Sequence, residues 1–270
     1  MNKYVVIGNP IAHSLSPQIH IAFAKQSNIP LTFEKVLVDH YSDEGERYSA
    51  FRQTLNQLKA SGIKGASVTL PFKQDAYDYA TALSERAKRA GAVNTLCFRD
   101  EEIFGDNTDG VGLVNDLKRL NWEIENRSIL ILGAGGAVRG ILPVLVDQNP
   151  KNIFILNRNQ EKASQLAEQY EVVKVFDPKM HYDVVINATP LSLEGNLPET
   201  IQKVNVENKD CYDLAYSQNH LTAFCEWARK QGASAVSDGL GMLVEQAVEA
   251  FYLWHGVRPD LNLNSFNMKK

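Results

Sequence analysis

Two charged residues, Lys73 and Asp109, each follow a segment with the pattern of a β-strand. Lys73 ends residues 67–73 (SVTLPFK), and Asp109 lies in residues 105–110 (GDNTDG). An ammonium group within hydrogen-bond reach of a carboxylate can give and take a proton at a substrate oxygen. Beside a hydride carrier, such a pair would suffice to reduce a carbonyl to an alcohol. Without its flanking motif, however, Lys73 would be an ordinary solvated lysine.

A glycine-rich loop one helix further along the chain is the candidate site for such a carrier. Residues 128–140 (SILILGAGGAVRG) have the pattern of a buried strand that runs into Gly133, Gly135 and Gly136 and then into a helix. A pyrophosphate binds at such a helix N-terminus. The strict GxGxxG spacing fails, because Val138 occupies the third glycine position. The loop alone is therefore a weak signal.

The residues after the next strand indicate which dinucleotide would bind. Residues 157–162 (NRNQEK) stand where an acidic side chain would hold the ribose of NAD, and Arg158 replaces that acid. A guanidinium matches a 2'-phosphate, and Lys162 lies one turn further on as a second cation. This pattern favours NADP over NAD. The alternative is that Arg158 is a solvated loop residue.

A pair of serines precedes the first predicted helix. Residues 8–20 (GNPIAHSLSPQIH) join a strand to a helix with Pro17 at its first position, so Ser16 is predicted as the N-cap. Ser14 and Ser16 could also bind a carboxylate at the helix N-terminus, and both roles can coexist. His13 and His20 have no acidic or cysteine residue nearby at ligand spacing, so we interpret both as structural and predict no metal site.

Composition argues against some classes of partner and leaves a small-molecule role open. The 270 residues, 44% of them hydrophobic, fit one large domain or two of about 100 to 150 residues, and two fit the motifs better. A net charge of -4 argues against nucleic acid or an anionic membrane as partner. Cys97, Cys211 and Cys225 lack CxxC spacing, which predicts three small core residues and neither a disulfide framework nor a zinc site.

No apolar segment approaches the ~20 residues of a membrane span, and the apolar run at the N-terminus is too short for a signal peptide. We therefore expect a cytoplasmic protein. The sequence leaves the oligomeric state open.

Short runs rich in Val and Ile alternate with amphipathic stretches, the rhythm of an α/β fold with a mostly parallel sheet. The strands are predicted at residues 4–7, 32–38, 66–70, 129–132, 153–156, 172–175, 184–187 and 211–213, with a hairpin formed by 93–98 and 102–104. The helices are predicted at residues 17–26, 44–59, 160–168, 221–230 and 240–254, with short ones around 75–88.

Nine motifs, taken in order, resemble the shikimate dehydrogenase family, whose NADP-dependent members reversibly reduce 3-dehydroshikimate to shikimate in aromatic amino-acid biosynthesis. They are GNPI at residues 8–11 with Ser14 and Ser16, VTLPFK at 68–73, GAVNT at 91–95, DNTDG at 106–110, GAGGA at 133–137, Asn157-Arg158, NATP at 187–190, Tyr212-Asp213 with Tyr216, and DGLGMLVEQA at 238–247.

The resemblance implies the roles of the site residues. Lys73 would be the catalytic acid and base, and Asp109 would orient it. Ser14 and Ser16 would bind the substrate carboxylate, and the ring would contact Thr69, Asn94, Asp109, Tyr216 and Gln246. The cofactor would contact Glu85, Gly133, Ala134, Gly135, Gly136, Ala137, Asn157, Arg158, Lys162, Leu214 and Gly239. Glu85 could equally be an ordinary helix-surface carboxylate.

The resemblance also implies the domains: an N-terminal βαβ substrate-binding domain of residues 1–108 and 239–270, and a doubly wound (Rossmann) NADP-binding domain of residues 109–238. Three residues depart from the family pattern: Ser67 replaces an Asn, Asn159 replaces a Thr, and Val138 adds bulk beside the glycine loop. Two other functions remain open, namely a quinate/shikimate dehydrogenase of broader specificity and a catalytically silent NADP- or shikimate-binding regulator.

Overall fold

The computed structural model describes residues 1–218 and 220–260, and it divides into two compact units. The first unit comprises Met1–Asp109 and the C-terminal segment that starts at Val244, and the second comprises Gly110–Leu243. The assignment of one unit to the substrate and the other to NADP stays a prediction.

The first unit is built on a mixed sheet. Its elements are β1 (Asn2–Gly8), α1 (Ser16–Gln26), β2 (Leu31–Leu37), α2 (Glu44–Ala60), β3 (Gly65–Val68), α3 (Lys73–Tyr79), β4 (Ala82–Leu83), α4 (Glu85–Ala90), β5 (Thr95–Arg99) and β6 (Glu102–Asp106). The strand order is β2-β1-β3-β5-β6-β4. Strand β1 is parallel to β2 and β3, whereas β5 is antiparallel to β3 and β6.

Both faces of this sheet are buried because the inner strands are apolar on both sides. In β1, Val5 and Ile7 pack into one cluster with the stacked rings of Phe51 and Phe72, whose centroids are 5.1 Å apart. The alternate residues Tyr4 and Val6 pack into a second cluster, as the two-residue period of a strand requires.

The second unit is built on a fully parallel sheet. Its elements are α5 (Asp109–Arg119), which begins at the last residue of the first unit, β7 (Ser128–Leu132), α6 (Gly136–Val146), β8 (Asn152–Leu156), α7 (Gln160–Ala167), β9 (Val173–Val175), β10 (Val184–Asn187), two short 3-10 helices (Pro190–Glu194 and Glu199–Lys203), β11 (Asp210–Asp213), α8 (Ala223–Lys230), β12 (Ala235–Ser237) and α9 (Leu240–His255), which continues into the first unit.

The strand order of the second sheet is β12-β11-β10-β7-β8-β9, and each neighbouring pair is parallel. This is the doubly wound order of a dinucleotide-binding fold, in which β7 and β10 meet at the switch point. Ile129 and Ile131 of β7 pack on one face, and Leu130 and Leu132 pack on the other. The predicted α/β class and the Rossmann arrangement are confirmed.

Several element predictions need correction. Ser16 is not the N-cap of α1 but its first residue, because the Ser14 hydroxyl accepts the Ser16 N–H at 3.3 Å and the helix begins there. Strand β3 ends at Val68 rather than at residue 70, since Pro71 follows closely and cannot donate to a ladder. Strands β4 and β12, of two and three residues, were not predicted.

Two other predictions concern burial and membrane association. Cys97, Cys211 and Cys225 are free thiols, and each is buried, as predicted. Among the described residues, no helix is long and apolar enough to cross a bilayer.

Candidate active site

Lys73 and Asp109 form a close, shielded ion pair in the first unit. Lys73 Nζ donates to Asp109 Oδ2 at 2.5 Å. The two side chains are 16% and 7% exposed, so the pair is largely shielded from water while the lysine side chain keeps some exposure. An ion pair in this setting is screened much less than a surface pair, and its lysine can reach a ligand oxygen.

The chain places Lys73 at the start of a short helix. Strand β3 ends at Val68, a cis bond joins Leu70 to Pro71, and the fully buried Phe72 precedes α3. A cation at a helix N-terminus faces the positive end of the helix dipole, so helix stability does not favour a lysine there. The carboxylate of Asp109 supplies the compensating charge.

The carboxylate of Asp109 is held by buried polar side chains. Asn94 Nδ2 donates to Asp109 Oδ1 at 2.8 Å and to Thr108 Oγ1 at 2.9 Å. Thr108 Oγ1 in turn donates to Gln246 Oε1 at 3.2 Å. The structure therefore brings together four predicted site residues, Lys73, Asn94, Asp109 and Gln246. Thr108 completes the network. It lies in the DNTDG motif but is not among the site residues predicted from the sequence.

The predicted carboxylate-binding serines lie in the loop that leaves the same sheet edge. Strands β1 and β3 are parallel, so their carboxyl ends meet, and a Cβ added at Gly8 would lie 2.4 Å from Thr69 Cγ2. The hydroxyls of Ser14 and Ser16 are 3.3 Å apart, with Ser16 buried at the start of α1. Their proximity to each other fits a shared anionic ligand, which stays a prediction.

Two further predicted residues are Tyr216 and Glu85. Tyr216 follows β11 in the second unit, so its contact with substrate stays a prediction. Glu85 is the first residue of α4, is 83% exposed, and pairs with Lys88 at 2.6 Å. Its alternative interpretation as a helix-surface carboxylate therefore has direct geometric support, while the cofactor contact stays a prediction.

The glycine loop of the second unit joins β7 to α6. Gly133 has a φ of +114°, and a Cβ there would lie 3.3 Å from the Ala188 carbonyl oxygen. Around Gly135 and Gly136 an added Cβ would meet no atom of the described residues within 4 Å. In the same part of the chain no side chain caps the N-terminus of α6, so its N–H groups can bind an anion. Val138 is fully buried in the core and packs α6 against the sheet in place of the third glycine.

Two cations follow the next strand. Arg158 and Lys162 are exposed after β8, and within the part of the chain that the structure describes neither makes an ion pair. Asn159 accepts the Lys162 N–H at 3.1 Å as the N-cap of α7, and Asn157 Nδ2 donates to the Asn159 carbonyl at 2.9 Å. An Asn in place of Thr at residue 159 therefore retains the capping function.

The remaining predicted cofactor residues lie beyond β10 and β11. Asn187 Nδ2 donates to Asp213 Oδ1 at 2.8 Å, and Thr222 Oγ1 donates to Asp213 Oδ2 at 2.6 Å. Burial raises the pKa of the Asp213 carboxyl, and hydrogen bonds from these neighbours oppose that shift. Gly239 passes so close to this turn that a Cβ would lie 2.2 Å from the Leu214 carbonyl oxygen. The network fixes the backbone at the carboxyl edge of the sheet.

Three family models match the chain. The model of the shikimate dehydrogenase substrate binding domain matches residues 6–96, that of shikimate/quinate 5-dehydrogenase matches 116–208, and that of the shikimate 5'-dehydrogenase C-terminal domain matches 239–263. Among curated proteins, the shikimate dehydrogenase (NADP(+)) of Cellvibrio japonicus is 44% identical over 266 residues, covering 96% of this chain and 93% of that protein.

Two solved structures are similar to the chain over almost its whole length. The shikimate 5-dehydrogenase of Thermus thermophilus, in complex with NADP(H) and shikimate, superposes with a TM-score of 0.83 at 30% identity, covering 96% of this chain and 95% of that one. An Ael1 enzyme from Pseudomonas putida superposes with a TM-score of 0.84 at 38% identity, covering 99% and 97%.

Proposed function

The chain belongs to the shikimate dehydrogenase family, and we propose from this membership that it catalyses the reversible NADP-dependent reduction of 3-dehydroshikimate to shikimate, a step of aromatic amino-acid biosynthesis. The observation that carries the proposal is the Lys73–Asp109 pair, 2.5 Å apart and linked through Asn94 and Thr108 to Gln246. Family membership indicates which reaction is catalysed, and the Lys73–Asp109 pair accounts for its proton transfer.

Lys73 is the acid in the reduction direction and the base in the reverse direction. When the C3 carbonyl of the substrate becomes an alcohol, negative charge develops on its oxygen. An ammonium within hydrogen-bond reach stabilises this charge and then transfers a proton from Nζ to the oxygen. Asp109 keeps Nζ oriented, and Asn94 holds the other oxygen of Asp109, which prevents the carboxylate from turning away.

Ser14, Ser16, Thr69 and Gln246 are proposed to bind the substrate, with the two serines on its carboxylate. The hydroxyls of Ser14 and Ser16 lie at the N-terminus of α1, where the helix dipole also favours a negative charge. Tyr216 is proposed as a further substrate contact on the strength of the family motif alone.

The second unit has the features that NADP requires. A pyrophosphate would have room beside Gly135 and Gly136, next to the close backbone approach at Gly133. The uncapped start of α6 would provide its N–H donors. Arg158, assisted by Lys162, would bind the 2'-phosphate, and Asn157, Leu214 and Gly239 would line the remainder with Ala134 and Ala137. When bound, NADPH would supply the hydride for the reduction, and NADP would accept it in the reverse direction. A Cβ at Gly135 or Gly136 would occupy this space, which supports the fit.

A cytoplasmic location is part of the proposal. Three buried cysteines remain free thiols, as is usual in a reducing compartment. Cell fractionation with an antibody against the native protein would test this location, and recovery outside the cytoplasmic fraction would contradict it.

The proposed function is tested by following NADPH absorbance with purified protein and four reactant pairs: shikimate or quinate, each with NADP or NAD. We expect turnover with shikimate and NADP to exceed both NAD pairs by at least about 10-fold, since Arg158 favours the 2'-phosphate. We expect it to exceed quinate with NADP as well, since the curated relative is a shikimate dehydrogenase. Comparable rates with quinate or NAD would instead indicate a broader quinate/shikimate enzyme. Thermal stabilisation by shikimate without turnover would indicate a silent binding protein.

A further inference from the structure

Asp106, at the end of β6, has a buried carboxylate that Arg86 binds through two parallel hydrogen bonds. Asp106 is 2% exposed, and the guanidinium donates from Nε to Oδ1 at 2.7 Å and from Nη2 to Oδ2 at 2.6 Å. The Ser84 hydroxyl and the Asn107 N–H donate to the same carboxylate. Paired hydrogen bonds from a planar guanidinium fix both the distance and the orientation of a carboxylate.

Asp106 also begins the segment that carries Asp109. Asn107 follows it, donates from Nδ2 to the Ala92 carbonyl at 3.0 Å, and accepts the Asp109 N–H on Oδ1 at 3.1 Å. Each residue from 106 to 109 is thus held by a side-chain hydrogen bond, and Arg86 binds the first of them. A displacement of Asp106 would move Asp109 with it.

The same guanidinium faces α9. Arg86 Nη1 lies 3.7 Å from Glu249 Oε2, and Glu249 is 5% exposed. Glu249 follows Gln246 by three residues, so the two side chains lie on the same side of the helix. Gln246 accepts a hydrogen bond from Thr108 Oγ1 at 3.2 Å. Arg86 therefore contacts both Asp106, which begins the segment that carries Asp109, and α9, which carries Gln246.

Charge gives Arg86 a role that no other residue type could fill equally. Burial alone would lower the pKa of Arg86, but the hydrogen bond and charge of Asp106 and the charge of Glu249 outweigh it and raise the pKa. Arg86 lies between the two buried carboxylates and lessens their repulsion, and Arg258 also pairs with Glu249. Lysine would keep the charge but lose the fork that aligns Asp106.

We propose that Arg86 is a positioning residue for the Lys73–Asp109 pair: its guanidinium couples Asp106, at the start of the Asp109 segment, to Glu249 on the helix that carries Gln246. The proposal rests on the proposed function, because it assigns Arg86 a part in the same reaction. If Arg86 only stabilised the fold, its replacement would lower thermal stability without changing the kinetics of the folded enzyme.

The test compares Arg86→Lys with Arg127→Lys. Arg127 Nη2 binds Asp210 Oδ2 at 2.8 Å in the second unit, next to the amino ends of β7 and β11, away from the glycine loop. It is thus a matched Arg–Asp pair outside the site. The parameters kcat and KM for shikimate and KM for NADP are measured at a temperature well below both melting temperatures.

We expect Arg86→Lys to lower kcat by at least about 10-fold, because misplacement by ~1 Å can cost about 100-fold in rate. The KM for NADP should not change, and Arg127→Lys should match the wild type in kcat even if its melting temperature falls equally. Wild-type kcat in Arg86→Lys, or an equal loss in Arg127→Lys, would overturn the proposal.

A second readout does not depend on turnover. In protein labelled with ¹³C-lysine, the Cε signal of Lys73 is identified by its loss in Lys73→Met. The chemical shift of this signal should change in Arg86→Lys and remain unchanged in Arg127→Lys. If the wild type shows no activity with shikimate, the proposed function fails while this signal still decides the role of Arg86. An unchanged Lys73 signal in Arg86→Lys would refute positioning.

Discussion

The ammonium of Lys73 and the carboxylate of Asp109 lie 2.5 Å apart, although the two residues are 36 positions apart in the chain. Each is the first residue of a helix, α3 and α5 respectively. A carboxylate suits a helix start and a lysine does not, so the pair combines one favourable and one unfavourable placement. The unfavourable placement is that of Lys73, the residue to which we assign the proton transfer.

Replacing Asp109 tests whether its charge orients Lys73. Asp109→Asn retains an oxygen for Asn94 but loses the ion pair, so we expect kcat with shikimate to fall about 100-fold or more, in the range of general acid–base effects. Asp78→Asn is the control, because Asp78 is exposed on α3. Steady-state kinetics on both variants would check this. Near-normal kcat in Asp109→Asn would contradict the orienting role.

Replacing Arg158 tests the choice of cofactor. Loss of a charged hydrogen bond to phosphate costs about 1.5–3 kcal/mol, so Arg158→Ser should raise the Kd of NADP about 10-fold to 150-fold and leave NAD unaffected. Lys151→Ser is a matched control, since Lys151 precedes the same strand, β8, that Arg158 follows. Isothermal titration of both variants measures the effect. An equal change for NAD would show that Arg158 does not read the 2'-phosphate.

Replacing two glycines of the same loop by alanine should distinguish an effect on cofactor binding from an effect of backbone strain. At Gly136 an added Cβ meets no atom within 4 Å in the part of the chain that the structure describes, so Gly136→Ala should weaken NADP binding about 10-fold while leaving the melting temperature unchanged. At Gly133 the φ of +114° disfavours any side chain, so Gly133→Ala should lower the free energy of unfolding by about 1 kcal/mol or more. Unimpaired NADP binding in Gly136→Ala would argue against a pyrophosphate at this helix.

Acid should destabilise the first unit through His20. Its ring is fully buried and stacks on Phe33 at 4.5 Å, and within residues 1–218 and 220–260 neither ring nitrogen has a hydrogen-bond partner. Burial, with a smaller contribution from the charge of His255, lowers the pKa of His20 to about 3. Below pH 6.5 the unfolded chain therefore binds a proton at this residue that the folded chain does not, and stability is lost as the pH falls.

The expected loss at His20 is about 2 kcal/mol in the free energy of unfolding between pH 6.5 and pH 5, at about 1.4 kcal/mol per pH unit. Urea unfolding of His20→Phe at both values should show a smaller pH dependence than the wild type. Identical pH dependence in the two proteins would show that His20 does not carry the effect.

Local sequence signals were sufficient for the fold. Short apolar runs rich in Val and Ile predicted most strands of both sheets to within a few residues, because buried strands such as β7 are continuous apolar runs. The short strands β4 and β12 contain at most one Val or Ile each, whereas β9, also three residues long, was predicted from its valines. Ser16 was placed one residue out because the Ser14 hydroxyl, rather than that of Ser16, accepts the first free N–H.

The site was predictable only in part. Motif resemblance supplied Lys73, Asn94, Asp109 and Gln246, which the structure brings together. Arg86 carried no signal of its own, because it lies in a charged run that is typical of a solvated helix. Its partner Asp106 is 20 residues away, and only the pairing of β6 with neighbouring strands makes that contact possible.

The most direct test of the mechanism is the rate of NADP reduction by shikimate in Lys73→Met, measured together with the Kd of NADPH. Lys64→Met is the control, since Lys64 is exposed in the same unit, just before β3. We predict that Lys73→Met loses at least about 100-fold in kcat with NADPH binding intact, and that Lys64→Met matches the wild type. Turnover at the wild-type rate in Lys73→Met, or loss of NADPH binding in parallel with activity, would contradict the proposed role of Lys73.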